Sequence, residues 1–245
     1  MTTADSSGYA PEWLRLREPA DTAARAADLV ALLPAVPAVI RDLGCGTGAM
    51  GRWLSGRLPK PQRWILHDQD QRLLKIAARS LPPGISVVTE QADVTRLGFG
   101  GTSLVTASAL LDLLTEEEIQ RLVKSCVDAQ SPALFTLSVT GSARLTAADA
   151  ADEALNTAFN DHQRRDGKLG PEAVAVTAAE FQRYGWTVHT RLSPWQLGPE
   201  HRELIDAWYR GFVAAAREEQ PDLTVPEDRQ ITEVTVHHQD LLALP

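Results

Sequence analysis

Cysteine is nearly absent, with Cys45 and Cys126 the only two in 245 residues. Without metal-ligand spacing they exclude a disulfide framework and a thiolate metal site, so no metal is expected and a reducing, cytoplasmic setting fits. An excess of positive charge is missing too: 24 Lys and Arg stand against 32 Asp and Glu, a formal net charge of −8. No global basic field recruits nucleic acid or an acidic membrane. Basic stretches interleaved with aromatics are also lacking, which argues against a nucleic-acid partner. No apolar run approaches the ~20 residues that a membrane span requires. Met1–Gly8 is polar and reads as a mobile end, without the basic-then-apolar layout of a secretion signal. Repeats and low-complexity tracts do not occur beyond a bias to alanine.

What is present suits one large α/β domain over residues 1–245, long enough to bury a substantial core. A short apolar strand at Ala38–Leu43 runs into Asp42-Leu43-Gly44-Cys45-Gly46-Thr47-Gly48. Glycines at alternate positions let the backbone bend tightly and approach a ligand that side chains would hold off. The following Ala49-Met50-Gly51-Arg52-Trp53-Leu54 opens a helix whose N-terminal amides face the turn. Strand, turn and helix form the first half of a nucleotide-type site in an open parallel sheet.

Gly46, Gly48 and Gly51 also satisfy the dinucleotide pattern, so an NAD- or FAD-binding oxidoreductase is the alternative reading. Against it, the strand ends in Asp42, which repels a pyrophosphate and welcomes an ammonium group. Two more carboxylates, Asp68 and Asp93, then fall at regular strand ends. The stretch Asp42–Gly48 resembles the first motif of the class I S-adenosylmethionine-dependent methyltransferases, and the likeness extends over roughly residues 36 to 140. It implies a Rossmann-like fold, a doubly wound, mostly parallel seven-stranded sheet with helical insertions, and S-adenosylmethionine as cofactor. A non-catalytic domain of the same type, binding the cofactor only, is a further alternative.

The remaining pattern agrees with that fold. Strands are expected at Arg63–Leu66, Ile85–Thr89, Leu104–Ser108 and Ala133–Val139, alternating with helices at 48–58 and Asp70–Ser80 and one opened by the Thr115–Glu118 capping box. Ahead of them, a helical cover spans 9–35, broken near Pro19 and closed by Pro34 and Pro37. Beyond residue 140 the alternation lapses. A long helix is expected at Leu145–Arg165, a second capped helix from Thr177 to Gly185, a strand at Thr187–Leu192, an amphipathic helix at Glu200–Glu219 and a last strand at Ile231–His238.

The resemblance assigns the cofactor's handles. Amides around Gly44, Cys45 and Gly46 receive its amino-acid part, with Asp42 serving the ammonium. Asp68, flanked by Gln69, accepts the ribose hydroxyls; Asp70 is the alternative, with Asp68 then capping a helix. Asp93, with Val94 beside it, accepts the adenine amine, or is an ordinary loop aspartate. Ser108 passes under the methionine portion. Arg17 or Arg25 pairs with the methionine carboxylate, unless Arg25 simply pairs with Asp21 on a solvated helix face.

For the acceptor, the fourth strand is followed by Ala109-Leu110-Leu111-Asp112, not by the Asp/Asn-Pro-Pro-Tyr/Phe of relatives that act on planar exocyclic amines. No acidic cluster matches the metal site of catechol-type relatives. A small-molecule oxygen or nitrogen acceptor is therefore expected, enclosed by the N-terminal piece and by insertions at 141–172 and 193–219, in a monomer or homodimer. Of six histidines, His162 is the first choice for a base, beside Asp161 as its orienter; the bland alternative is a cation at a helix C-terminus. Arg164 and Arg165 would then face an anionic substrate group. Trp195 either walls the pocket or packs in the core, and Asp112 is either an acceptor ligand or a helix-flanking acid.

Overall fold

The structure is a computed structural model and describes residues 9–33, 38–226 and 229–245. The expectations placed on Met1–Gly8, Pro34 and Pro37 lie outside the described residues. The parallel half is built from β1 (Val39–Leu43), β2 (Arg63–Asp68), β3 (Ser86–Gln91), β4 (Leu104–Ser108) and β5 (Ala133–Leu145). Before and between them come α1 (Pro11–Ala24), α2 (Ala49–Ser55), α3 (Gln71–Ala77) and α4 (Glu116–Asp128). The second half contains α5 (Asp152–Gln163), α6 (Ala173–Arg183), β6 (Thr187–Leu192), β7 (Trp195–Leu197), α7 (Arg202–Glu219) and β8 (Val234–Leu244).

Seven strands lie side by side in the order β3-β2-β1-β4-β5-β8-β6, and the short β7 pairs with β8 past the end of β6. β1 to β5 are mutually parallel, and β8 runs antiparallel to β5, β6 and β7. The sheet is thus the expected doubly wound one with an eighth, short strand added. Alternation along the strands divides the core into two layers. Ile40, Trp64, Leu66, Leu104 and Leu134 meet α2 and α3 through Met50, Trp53 and Leu74. Their neighbours Leu43, Val105 and Phe135 meet α4 and α6 through Leu122, Val123 and Phe181.

The differences from expectation concentrate past residue 140. β5 does not stop at Val139 but continues to Leu145, because β8 pairs with it along that length, down to Leu145 opposite Val234. The helix expected from Leu145 therefore begins only at Asp152. The Thr177–Glu180 motif is not a cap: α6 starts four residues earlier, and the Thr177 hydroxyl donates to the Ala173 carbonyl at 2.7 Å inside the helix. Thr115 and Glu118 do form both bonds of a capping box at α4. α1 continues through Pro19, and a separate 3-10 segment, Ala27–Leu32, follows it.

The overhang formed by the end of β5, the start of β8 and β7 carries its own cores. One joins Leu145, Trp195 and Val236 to Ala20 of α1 and Ile205 of α7. The other joins Ala143 to Leu155 and Ala158 of α5 and Phe212 of α7. Asp240 ties the N-terminal segment to the sheet: its Oδ2 accepts from the Ala26 amide (2.8 Å), and its Oδ1 accepts from the Leu137 amide (2.8 Å) and the Ser193 hydroxyl (2.5 Å). That clamp fixes the chain where it leaves α1, one residue after Arg25.

Candidate active site

The carboxyl ends of β1, β2 and β4 open onto a cleft of about 700 Å³ that continues under α1 and between α5, α7 and β8. At its floor the turn after β1 takes left-handed conformations at Gly44, Gly46 and Gly48 (φ 62°, 55° and 87°). The Cys45 amide donates to the His67 carbonyl at 2.8 Å, fixing the turn against β2. A Cβ on Gly46 would stand 3.2 Å from Leu14 Cδ1, so α1 passes directly over the turn. Glu18 of α1 holds Arg52 of α2 at 2.5 Å, and Arg52 also donates to the Thr47 carbonyl at 2.6 Å. The cover is thereby fastened to the glycine turn itself.

Asp42 is buried beneath the turn. Its Oδ1 accepts from the Thr106 hydroxyl at 2.9 Å, while its Oδ2 has no hydrogen-bond partner among the described residues. Burial pushes its carboxyl up to about 7, against the opposing pull of the Thr106 bond and of Arg25. Arg25 turns inward to the same cleft: Nη2 donates to Ser108 Oγ at 3.0 Å, Nε to Thr136 Oγ1 at 3.4 Å, and Nη1 has no partner among the described residues. Trp53 lies against its guanidinium, with the ring centroid at 5.5 Å. Asp21 is taken instead by Arg17 (3.0 Å), so Arg25 is not the half of a surface pair.

Asp68 lines the cleft at the tip of β2, where Oδ2 accepts from the Gly46 amide (2.8 Å) and Oδ1 from the Asp70 amide (2.9 Å). Burial raises its pKa against both of those bonds. Asp70 is the cap of α3 and pairs with Arg72. Gly44, Cys45, Gly46, Gln69, Val94 and Ser108 line the same cleft. Asp93 does not: its carboxylate accepts from the Thr95 amide and hydroxyl (3.0 and 2.7 Å) and pairs with Arg96 (3.2 Å), and the Thr95 bond holds its pKa below the usual value.

On the acceptor side the histidine and arginine expectations are corrected in their partners. His162 reaches the cleft, but its Nε2 meets Glu218 of α7 at 3.3 Å, while Asp161 is taken by Arg164. Arg164 also holds Glu172, and Arg165 holds Glu218 and Glu219. Both arginines are spent on bracing α5 against its neighbours, so neither offers a free cation to an anionic group. Trp195, 2% exposed, serves core and wall together: its Nε1 donates to Asp21 at 3.0 Å, and Arg17 lies over its ring at 5.0 Å.

Three residues that the sequence reading passed over or left open stand at this end. Asp112 is 6% exposed, its Oδ1 has no partner among the described residues, and burial pushes it up to about 6. Tyr9 lies within electrostatic reach of it, its phenol raised by burial and by Asp112. His238, buried at 5.3 Å from Trp195, is driven down to about 3 by burial and stays neutral. No local motif marks Tyr9 or His238, because the cleft collects them from segments more than two hundred residues apart. Among the described residues no group of three His, Cys, Asp or Glu is placed to hold a metal ion, and no helix is long and apolar enough to cross a membrane.

Residues 40–133 match the family model described as a methyltransferase domain. Solved structures share the fold along most of the chain. The YcgJ protein of Bacillus subtilis is 13% identical, with 88% of this chain and 95% of that one covered at a TM-score of 0.56. Mycolic acid cyclopropane synthase CmaA1, solved with S-adenosylhomocysteine, is 11% identical over 89% and 82% at 0.54. Magnesium protoporphyrin IX methyltransferase from Synechocystis PCC 6803, also with bound S-adenosylhomocysteine, is 13% identical over 96% and 83% at 0.51. The sequence matches none of the curated proteins with which it was compared. Residues 40–133 thus carry a methyltransferase-domain match around the glycine turn, and the sheet and helices about it are the Rossmann-like fold that these solved structures share.

Proposed function

We propose that the protein is a class I S-adenosylmethionine-dependent methyltransferase and that it methylates a small-molecule oxygen or nitrogen acceptor held beside the cofactor in this cleft. The observation that carries the reading is a pair of buried, opposite charges at the turn, each with one vacant atom: Asp42 Oδ2 and Arg25 Nη1. A zwitterionic α-amino-carboxylate matches both, its ammonium toward Asp42 and its carboxylate toward Arg25. Unpartnered buried charge costs free energy, so both atoms await a ligand of that charge pattern. The bare backbone at Gly44 and Gly46 admits it closely. Asp68 has lone pairs left for vicinal ribose hydroxyls after accepting two amides, and Gln69 and Val94 border the adenosyl end. Asp93 serves there through the turn that it caps, since its own carboxylate is already engaged.

S-adenosylmethionine, when bound, supplies an electrophilic methyl group on a good leaving group, so the chain has mainly to align and desolvate the acceptor. Residues 36–140 act as the cofactor core, the 9–35 segment as its cover, and the 141–172 and 193–219 segments as acceptor walls. Trp13, Trp195, Trp208 and Phe159 supply flat apolar surface there, which favours a small, largely apolar guest over a polymer. His162 braces α5 on α7 at that wall. Calorimetric titration with S-adenosylhomocysteine tests the reading: micromolar or tighter binding is expected, and an enthalpically silent protein would refute it.

A further inference from the structure

Among the cavities, charged clusters and unused buried groups, Asp112 stands apart. It follows the carboxyl end of β4 by four residues, in the 3-10 turn Leu111–Leu113. It is a cleft-lining carboxyl, shut away from water, with a vacant Oδ1. Other unsatisfied groups on the same cleft, His237 Nε2 and His238 Nδ1, are imidazole nitrogens. The cofactor's own charges are already met by Asp42 and Arg25, so Asp112 is left over for the other guest.

We propose that Asp112 is the general base of the acceptor site and that the acceptor is a phenol, a flat ring whose hydroxyl donates to Asp112. The proposal rests on the methyltransferase reading of the cleft and deepens it. A carboxylate facing an alkylamine would hold it as an ammonium ion, whose nitrogen has no lone pair to attack with. An aliphatic hydroxyl, with a pKa near that of water (~16), is too weak an acid for a carboxyl base. A phenol, at ~10, is within reach of a carboxylate raised toward neutrality by its burial. The Trp13, Trp195 and Phe159 walls fit the ring. In the step, the phenolic O–H bond breaks and its proton passes to Asp112. The oxygen's electron pair forms the new O–CH3 bond, and the S–CH3 pair remains on sulfur, leaving a neutral thioether.

The charged groups around Asp112 support a base rather than a permanent ion pair. Among the described residues Arg17 on α1 is the cation that reaches it, and Arg17 is already bonded to Asp21. Tyr9 precedes α1 and is un-ionised, its pKa raised. Across the cleft are His238, also neutral, and His237 on β8, with Lys168 after α5.

The test uses the full chain, S-adenosylmethionine, and three acceptors of nearly equal size: 4-ethylphenol, 2-phenylethanol and 2-phenylethylamine, with 2-naphthol as a larger phenol. S-adenosylhomocysteine formation and product mass are read. Methylation of the phenols alone is expected. Below about pH 6, kcat/KM should fall about tenfold per pH unit. Asp112→Asn should lose at least about 100-fold in turnover and lose that limb, with S-adenosylhomocysteine affinity within twofold of wild type. That unchanged affinity also certifies that the variant is folded. Turnover of the amine or alkanol only, no turnover of either phenol, or an Asp112→Asn enzyme as fast as wild type would overturn the proposal while leaving the methyltransferase reading intact. Failure of the wild-type protein to bind S-adenosylhomocysteine would overturn both.

Discussion

Replacing Arg25 by Met asks whether the inward guanidinium recognises the cofactor's carboxylate. Two of its three nitrogens are occupied, by Ser108 Oγ at 3.0 Å and Thr136 Oγ1 at 3.4 Å, so the side chain is aimed before any ligand arrives. Its Nη1 is the vacant donor. A hydrogen bond to a charged group is worth about 1.5–3 kcal/mol. At 1.4 kcal/mol per decade, S-adenosylhomocysteine should therefore bind the Arg25→Met protein about 10- to 150-fold more weakly. Met keeps the apolar stem against Trp53, and the Thr136–Ser108 hydroxyl bond (3.1 Å) does not pass through the guanidinium. Burial already pulls the Arg25 pKa down, so the fold carries this charge at a cost and should not collapse without it. The control ligand is 5′-methylthioadenosine, which has the adenosyl and thioether parts but no amino-carboxylate. Calorimetry should show its Kd changed by less than about threefold, an apolar-contact change of well under 1 kcal/mol. Equal losses for the two ligands would refute the carboxylate assignment and reduce Arg25 to a prop under the sheet.

Asp42 offers a proton-linked counterpart. Its carboxyl, raised to about 7 in the free protein, is mostly protonated at pH 6, and an ammonium group beside it should drive the proton off. Titration of S-adenosylhomocysteine at pH 6 in buffers of different ionisation enthalpy should therefore release up to about 0.9 proton, and Asp42→Asn should release none. Because the folded pKa lies above the unfolded one, the free protein should lose stability from Asp42 as pH rises from about 4 through 7, and Asp42→Asn should flatten that slope in thermal melts. Asp68→Ala should weaken S-adenosylhomocysteine binding more than about tenfold, through lost ribose hydrogen bonds and a freed Gly46 amide; an unchanged Kd would remove Asp68 from the site. Gly46→Ala should destabilise the turn by about 1–2 kcal/mol through its left-handed φ and press on Leu14, which a lowered melting temperature would report. His162→Ala should leave turnover within about threefold and cost about 0.5 kcal/mol at most, as for a partly exposed pair; a tenfold fall in turnover at constant cofactor affinity would put the ring in the chemistry.

The parallel half was legible because its signals are local. A strand, a glycine turn and an acid at the next strand tip recur at short intervals, and the Thr115–Glu118 cap needs only one helical turn to operate. The same four-residue rule misled at Thr177, whose hydroxyl bonds back to Ala173 within α6, since a Thr-x-x-Glu string also fits a helix interior. The strand read at Ala133–Val139 stopped six residues short; what extends β5 is β8, a partner distant in sequence, paired through Leu145 with Val234. The inward turn of Arg25 depends on Asp240 clamping Ala26 from 214 positions away. His162 lines the cleft, but its companion comes from α7, not from the aspartate beside it.

α1 is roof to two rooms. Leu14 hangs over Gly46 on one side, and Arg17 leans on Trp195 on the other. The two side chains stand on one helix three residues apart, so a displacement of α1 moves the wall at Gly46 and the wall at Trp195 together. One helix, fastened at its end where Asp240 holds the Ala26 amide, therefore sets the position of both walls at once.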